Sequence, residues 1–112
     1  MKRIHIAISV QDIAASVEDY SKRFGCQPCV IVPNEYALWR TDSVNFSIRQ
    51  TGERIGMLRH LGWEDSTASN FSKDIDVNGI EWERFNASAQ ADEIRHIWSH
   101  IDYSSTTSEE CQ

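Results

Sequence analysis

Along Arg3-Ile4-His5-Ile6-Ala7-Ile8-Ser9-Val10 the apolar residues Ile4, Ile6, Ile8 and Val10 recur at every second position, and directly afterwards the period changes to that of a helix. A strand sends alternate side chains to opposite faces, so His5, Ala7 and Ser9 share the face that the isoleucines leave. Gln11-Asp12 offers an N-cap, Ile13, Val17, Tyr20 and Phe24 supply an amphipathic stripe, and Gly25 ends it. An apolar strand face followed at once by an apolar helix stripe predicts that the helix packs on Ile4, Ile6, Ile8 and Val10. His5 then points away from that contact.

Three short apolar segments come next: Cys29 to Val32, closed by Pro33-Asn34, then Tyr36 to Arg40, then Val44 to Gln50 after a Thr41-Asp42-Ser43 turn. The first half therefore reads β-α-β-β-β. After a polar connection from Gly52 to Gly56, the segment Leu58-Arg59-His60-Leu61-Gly62-Trp63-Glu64 starts as though the unit were beginning again. Parity groups His60, Gly62 and Glu64 opposite Arg59, Leu61 and Trp63, so a second histidine leaves a strand with only a glycine beyond it. Two such strands side by side make a histidine-floored groove.

The restart is incomplete. Ser66 to Asn78 is mostly polar, and Phe71 and Ile75 at i, i+4 allow a short helix that Asn78-Gly79 would end. A strand from Ile80 to Phe85 follows, with Ile80 and Trp82 opposing Glu81 and Glu83. Asn86-Ala87-Ser88 then caps a last helix whose stripe is Ile94, Ile97, Trp98 and Ile101. The stretch from Ser104 to Gln112 is small and polar and is expected to be disordered, leaving 1–103 as one domain.

His5-Ile6-Ala7-Ile8-Ser9-Val10, Asp12-Ile13, Val17 and Asp19-Tyr20-Ser21-Lys22-Arg23-Phe24-Gly25-Cys26-Gln27-Pro28 together resemble the opening of the vicinal oxygen chelate superfamily, which includes glyoxalase I, ring-cleaving dioxygenases and the fosfomycin- and bleomycin-resistance proteins. Leu58-Arg59-His60-Leu61-Gly62 resembles the strand that opens that family's second module. The resemblance covers about the first sixty-five residues. It implies an α+β fold of βαβββ glyoxalase-like modules with a curved, mostly antiparallel sheet around a pocket, here with a truncated second module and a C-terminal helix. It further implies a divalent metal held by a histidine from each module's first strand and by glutamates from the last strands.

His5 and His60 match the two histidine positions. Where the first family glutamate would stand the chain reads Ser47-Ile48-Arg49-Gln50, so the aligned metal ligand is Gln50 or, if alternation is read literally, Arg49. An amide oxygen is a poor neutral ligand and a guanidinium is none. The strand carrying the last family glutamate gives way to the Ile94 to Ile101 helix. Glu81 and Glu83 offer a replacement, as an oxygen ligand or as the catalytic acid and base, or else form the solvated face of an edge strand. Glu53 and Glu64 are further candidates. Two imidazoles and a carboxylate suit Zn, Fe, Mn or Ni without choosing among them.

The net charge of −6 argues against a nucleic-acid partner, and no apolar run approaches the length of a membrane span. With no leader-like apolar segment at its start, the chain reads as cytoplasmic. Cys26-Gln27-Pro28-Cys29 follows a helix C-terminus, where the dipole has the wrong sign to activate a thiol, so it reads as a packed helix-to-strand turn. His96 and His100 stand at a helical i, i+4 spacing that can chelate but more often makes a polar face. Trp39 is read as core or dimer contact before pocket wall.

Two functions compete: a small metal-dependent enzyme acting on an oxygen-chelating substrate, as lyase, isomerase or dioxygenase, and a non-catalytic dimer that sequesters a small molecule without metal. A homodimer is expected in either case, because one and a half modules leave sheet edges and apolar surface uncovered.

Overall fold

In the computed structural model, which describes residues 1–104, β1 (Lys2–Val10) is the spine of the sheet. It pairs in parallel with β4 (Val44–Gln50) and antiparallel with β5 (Leu58–Asp65). A parallel neighbour needs a crossover, and α1 (Ile13–Phe24), β2 (Val30–Val32) and β3 (Tyr36–Arg40) supply it. Beyond β5 come β6 (Ser72–Ile75), β7 (Glu81–Phe85) and α2 (Ala87–Ile97). The architecture is α+β, one seven-stranded mixed sheet in the order β2-β3-β4-β1-β5-β7-β6 with two helices. Only β1–β4 and β5–β7 pair in parallel.

Asp12 caps α1 with its carboxylate, which accepts from the Ala15 N–H at 3.0 Å, and Gly25 ends the helix in the left-handed conformation at φ +76°. The helix packs on the expected face but only at its Ile8 and Val10 end, lying mainly over β3 and β4, while Ile4 and Ile6 stay outside the cluster and half-buried. Val17, Tyr20 and Phe24 pack on a buried cluster of Val10, Ile13, Ala37, Trp39 and Ile48, with Ile8 and Phe46 alongside. Each such side chain taken out of water contributes roughly 1.5–3 kcal/mol.

The opposite face is also buried, which alternation alone does not show. There α2 sets Ala91 and Ile94, followed by Trp98 and Tyr103, against Val32, Tyr36 and Leu38. His5, Ser9, Asn45, Ser47 and Glu64 are buried on this face of the sheet.

A local two-fold about the Ile6–Leu61 pair relates the halves, exchanging β1 with β5, β4 with β7 and β3 with β6. It carries His5 onto His60. Each histidine stands opposite a small residue, His5 opposite Gly62 and His60 opposite Ala7. The pairings Ala7–Ser47 and Gly62–Glu83 make Ser47 the counterpart of Glu83. No helix joins β5 to β6, so the second half lacks a counterpart of α1 and leaves Trp63 37 % exposed.

Two sequence expectations are corrected. Phe71 to Ile75 is not a helix, because Ser72–Ile75 pairs antiparallel with β7. Asn78-Gly79 is the turn of that hairpin: the Asp76 carboxylate accepts from the N–H groups of Asn78 and Ile80, and Gly79 sits at φ +81°. The last helix ends at Ile97, so Ile101 reaches the Trp98 cluster from the irregular chain beyond it. The expected disorder of the C-terminal stretch concerns residues that, apart from Ser104, lie outside those described.

Candidate metal centre

The centre is built on one row of residues that runs across the sheet. Arg40, Asn45, His5, Gly62, Glu83 and Lys73 are successive cross-strand partners on β3, β4, β1, β5, β7 and β6. Gly62 is the gap in this row. A methyl group placed on it would come 2.4 Å from the Glu83 carbonyl oxygen, so β5 and β7 can approach as they do only over a glycine. Across that gap His5 and Glu83 lean together, and His60, two residues back on β5, closes the triangle.

His5 Nε2 lies 2.9 Å from His60 Nε2, and Glu83 Oε1 lies 3.2 Å from His60 Nε2 and 4.0 Å from His5 Nε2. A tetrahedral ion with bonds of about 2.0–2.1 Å spaces its donors about 3.3 Å apart, a triangle of this size. Among the described residues this is the one group of three or more His, Cys, Asp or Glu side chains that could hold a metal ion.

The tautomer of His5 follows from the residues behind it. Arg3 donates to Glu64 at 2.6 Å, and Arg40 at 2.8 and 2.9 Å, so Glu64 is an ionised acceptor. Burial works to raise its pKa, but the hydrogen bonds from Arg40 and Asn45 outweigh it and hold it below the usual carboxylate value. The Asn45 side-chain nitrogen must therefore face Glu64, to which it donates at 2.8 Å, and it also donates to Gln90 Oε1 at 2.8 Å. Asn45 Oδ1 is left to accept from Gln90 Nε2 at 3.1 Å and from His5 Nδ1 at 2.8 Å. With its proton on Nδ1, His5 directs the Nε2 lone pair at His60 and Glu83.

Burial, and then the neighbouring His60, lower the pKa of His5, so the ring is kept neutral as a ligand requires. Burial pushes Glu83 the other way, toward protonation, but the hydrogen bond with His60 and the closeness of the two rings hold it low. The centre thus presents two imidazoles and a carboxylate anion.

It opens into a cavity of about 230 Å³ walled by Tyr36, Phe85, Ile94 and Trp98, with Arg49 and Arg59 also lining it. The His5 ring meets Phe85 edge-on at 5.1 Å. Glu81 lines the same cavity with its carboxylate 3.8 Å from Lys73 Nζ. Burial, and next the charge of Arg49, lower the Arg59 pKa.

The structure brings His5, His60, Glu81 and Glu83 together and leaves Gln50 out. Gln50 pairs with Val10, and its side-chain oxygen accepts from the Ile13 N–H at 2.9 Å, capping α1. Neither alignment choice locates the counterpart of Glu83, which is Ser47. Glu64 stands behind His5 rather than in the ligand triangle, and Glu53 is an exposed loop residue. Trp39 is fully buried beneath α1. His100 lies beyond the end of α2, so it shares no helical face with His96. Cys29 is a free thiol whose pKa burial raises, the reverse of an activated cysteine.

Asn45, Gln90, Arg3 and Arg40 escaped the sequence reading, since nothing in their spacing announces a contact that forms between β1, β3, β4, β5 and α2. Comparison with protein-family models and with curated proteins finds no match to this chain.

Proposed function

We propose that this chain binds a divalent metal ion through His5, His60 and Glu83 and takes a small oxygen-chelating molecule into the adjoining cavity, in the manner of glyoxalase- and bleomycin-resistance-like proteins. The observation that carries the reading is the Arg3/Arg40–Glu64–Asn45–His5 chain, which aims an unprotonated Nε2 at the other two donors. The β-α-β-β-β order, the strand sequence β2-β3-β4-β1 and the two-fold relation of His5 to His60 support the family-like module.

An ion held there supplies Lewis acidity to adjacent ligand oxygens, and the N₂O donor set suits Zn, Fe(II), Mn or Ni. Glu83 contributes the anionic ligand. Glu81, beside Lys73, is the carboxylate left to carry a proton to or from a molecule in the cavity. Phe85, Ile94 and Trp98 give that space its apolar wall.

A second reading, ligand binding without metal or catalysis, is favoured by Ser47, since the first half supplies no carboxylate where the second has Glu83. Elemental analysis and calorimetry with Zn²⁺, Mn²⁺ and Ni²⁺ separate the two. The metal reading expects one ion per chain, lost in His5→Ala and in His60→Ala. Undiminished uptake in the double variant ends it and leaves metal-free binding in front.

A further inference from the structure

Strand β5 breaks register at Arg59. Ala7 pairs with His60, but the next residue, Ile8, pairs with Leu58, so Arg59 is the extra residue of a β-bulge. By strict alternation it would join Leu61 and Trp63 on the far side of the sheet. With the bulge it lines the same cavity as His60. Arg49 reaches that cavity by ordinary parity, two residues beyond Ser47 on β4, with its guanidinium 5.3 Å from the centre of the Trp98 ring.

Neither guanidinium has an acidic partner. Among the described residues neither has a hydrogen bond or a carboxylate at ion-pair distance, whereas Arg3, Arg23, Arg40, Arg84 and Arg95 are all paired with acids. The acids of the cavity reach them only through space: Glu83 is turned to His60 and Glu81 to Lys73, both acting on Arg59 from a distance, and Glu93 acts on Arg49 in the same way. Two like charges in one cavity repel, and a shared anion relieves both. A guanidinium is a planar fork matched to two oxygens, and stacking on Trp98 holds one fork in plane.

We propose that Arg49 and Arg59 clamp an oxyanion, a carboxylate or phosphoryl group, of the molecule that occupies this cavity. The inference deepens the reading above by making the ligand a small organic acid, with the anionic group on the arginines and its other oxygens toward His5, His60 and Glu83. The bulge is the device that brings Arg59 to the site.

Calorimetric titration of the metal-free protein with inorganic phosphate, and separately with benzoate, tests it. At least one probe is expected to saturate, phosphate pointing to a phosphoryl group and benzoate to a carboxylate. Arg49→Gln and Arg59→Gln are each expected to weaken binding at least about tenfold, the loss of one charge-assisted contact. Arg59→Lys, which keeps the charge and loses the fork, is expected to fall between Arg59→Gln and wild type. Circular dichroism should show the variants folded, since neither arginine holds a neighbour by a hydrogen bond or an ion pair. Saturation by neither probe, or unchanged affinity in the double glutamine variant, overturns the proposal. Zn²⁺ uptake measured on the same samples keeps the two readings apart: uptake without anion binding rejects the clamp alone, and anion binding without uptake rejects the metal alone.

Discussion

Asn45 turns its side-chain oxygen toward His5, accepting from Nδ1 at 2.8 Å, because its nitrogen is committed to Glu64. Asn45→Leu removes that acceptor while keeping the volume. Metal affinity is expected to fall about 10–100-fold, as on loss of an outer-shell partner. Nitrogen NMR of the imidazoles should show His5 protonated on Nδ1 in the wild type and a mixture of tautomers in the variant. A single unchanged tautomer would mean that Asn45 does not set it.

Gly62→Ala tests the gap in the transverse row. The added carbon meets the Glu83 carbonyl at 2.4 Å, a backbone atom that cannot swing aside. The strands must part, at an expected cost of roughly 1–3 kcal/mol in thermal or urea unfolding. Glu83 moves with its strand, so metal affinity should fall in the same variant.

Glu64 gives the protein an acid-sensitive core. Its folded pKa is depressed, so its stabilisation is fully present above the ordinary carboxylate value of 4.5 and is lost as pH falls through the lower folded value. Melting temperature should drop over that window. In Glu64→Gln this part of the drop should vanish, and the variant should be about 3–5 kcal/mol less stable at neutral pH because the buried ion pairs that Glu64 makes with Arg3 and Arg40 are broken.

Ser47, the two-fold counterpart of Glu83, is 2 % exposed on the face that carries the histidines. Ser47→Glu should destabilise the metal-free protein by about 2 kcal/mol or more through a buried carboxylate. Zn²⁺ should recover that loss, raising the melting temperature more than it does for wild type. Absence of any metal-dependent recovery would place Ser47 out of reach of the ion.

We propose that the chain forms a homodimer, because the missing counterpart of α1 leaves the Trp63 side of β5 without a helix and β6 is an edge strand exposed along its whole length. Light scattering should give twice the chain mass at micromolar concentration. A stable monomer would remove the dimer.

The local rules of the chain carried much of the fold. Alternation in Ile4 to Val10, the Asp12 cap and the Gly25 stop define β1 and α1, because each depends only on neighbours a few residues apart. The same parity turned His5 away from Ile4 and Ile6, turned His60 away from Leu61, and grouped Glu81 with Glu83. Three things needed the third dimension. Phe71 and Ile75 fit a helix until β7 arrives to pair with that stretch, and pairing is a contact between distant residues. Ser47 becomes the match for Glu83 only through strand register, which spacing along the chain does not encode. Arg59 turns to the cavity because a bulge overrides alternation, and a bulge exists only against a partner strand. Sequence by itself determined which residues face together within an element. Tertiary structure decided which elements meet, and therefore that Asn45 and Glu64 orient His5 and that two arginines without an acidic partner line the same cavity, since hydrogen bonds and charges act across space rather than along the chain.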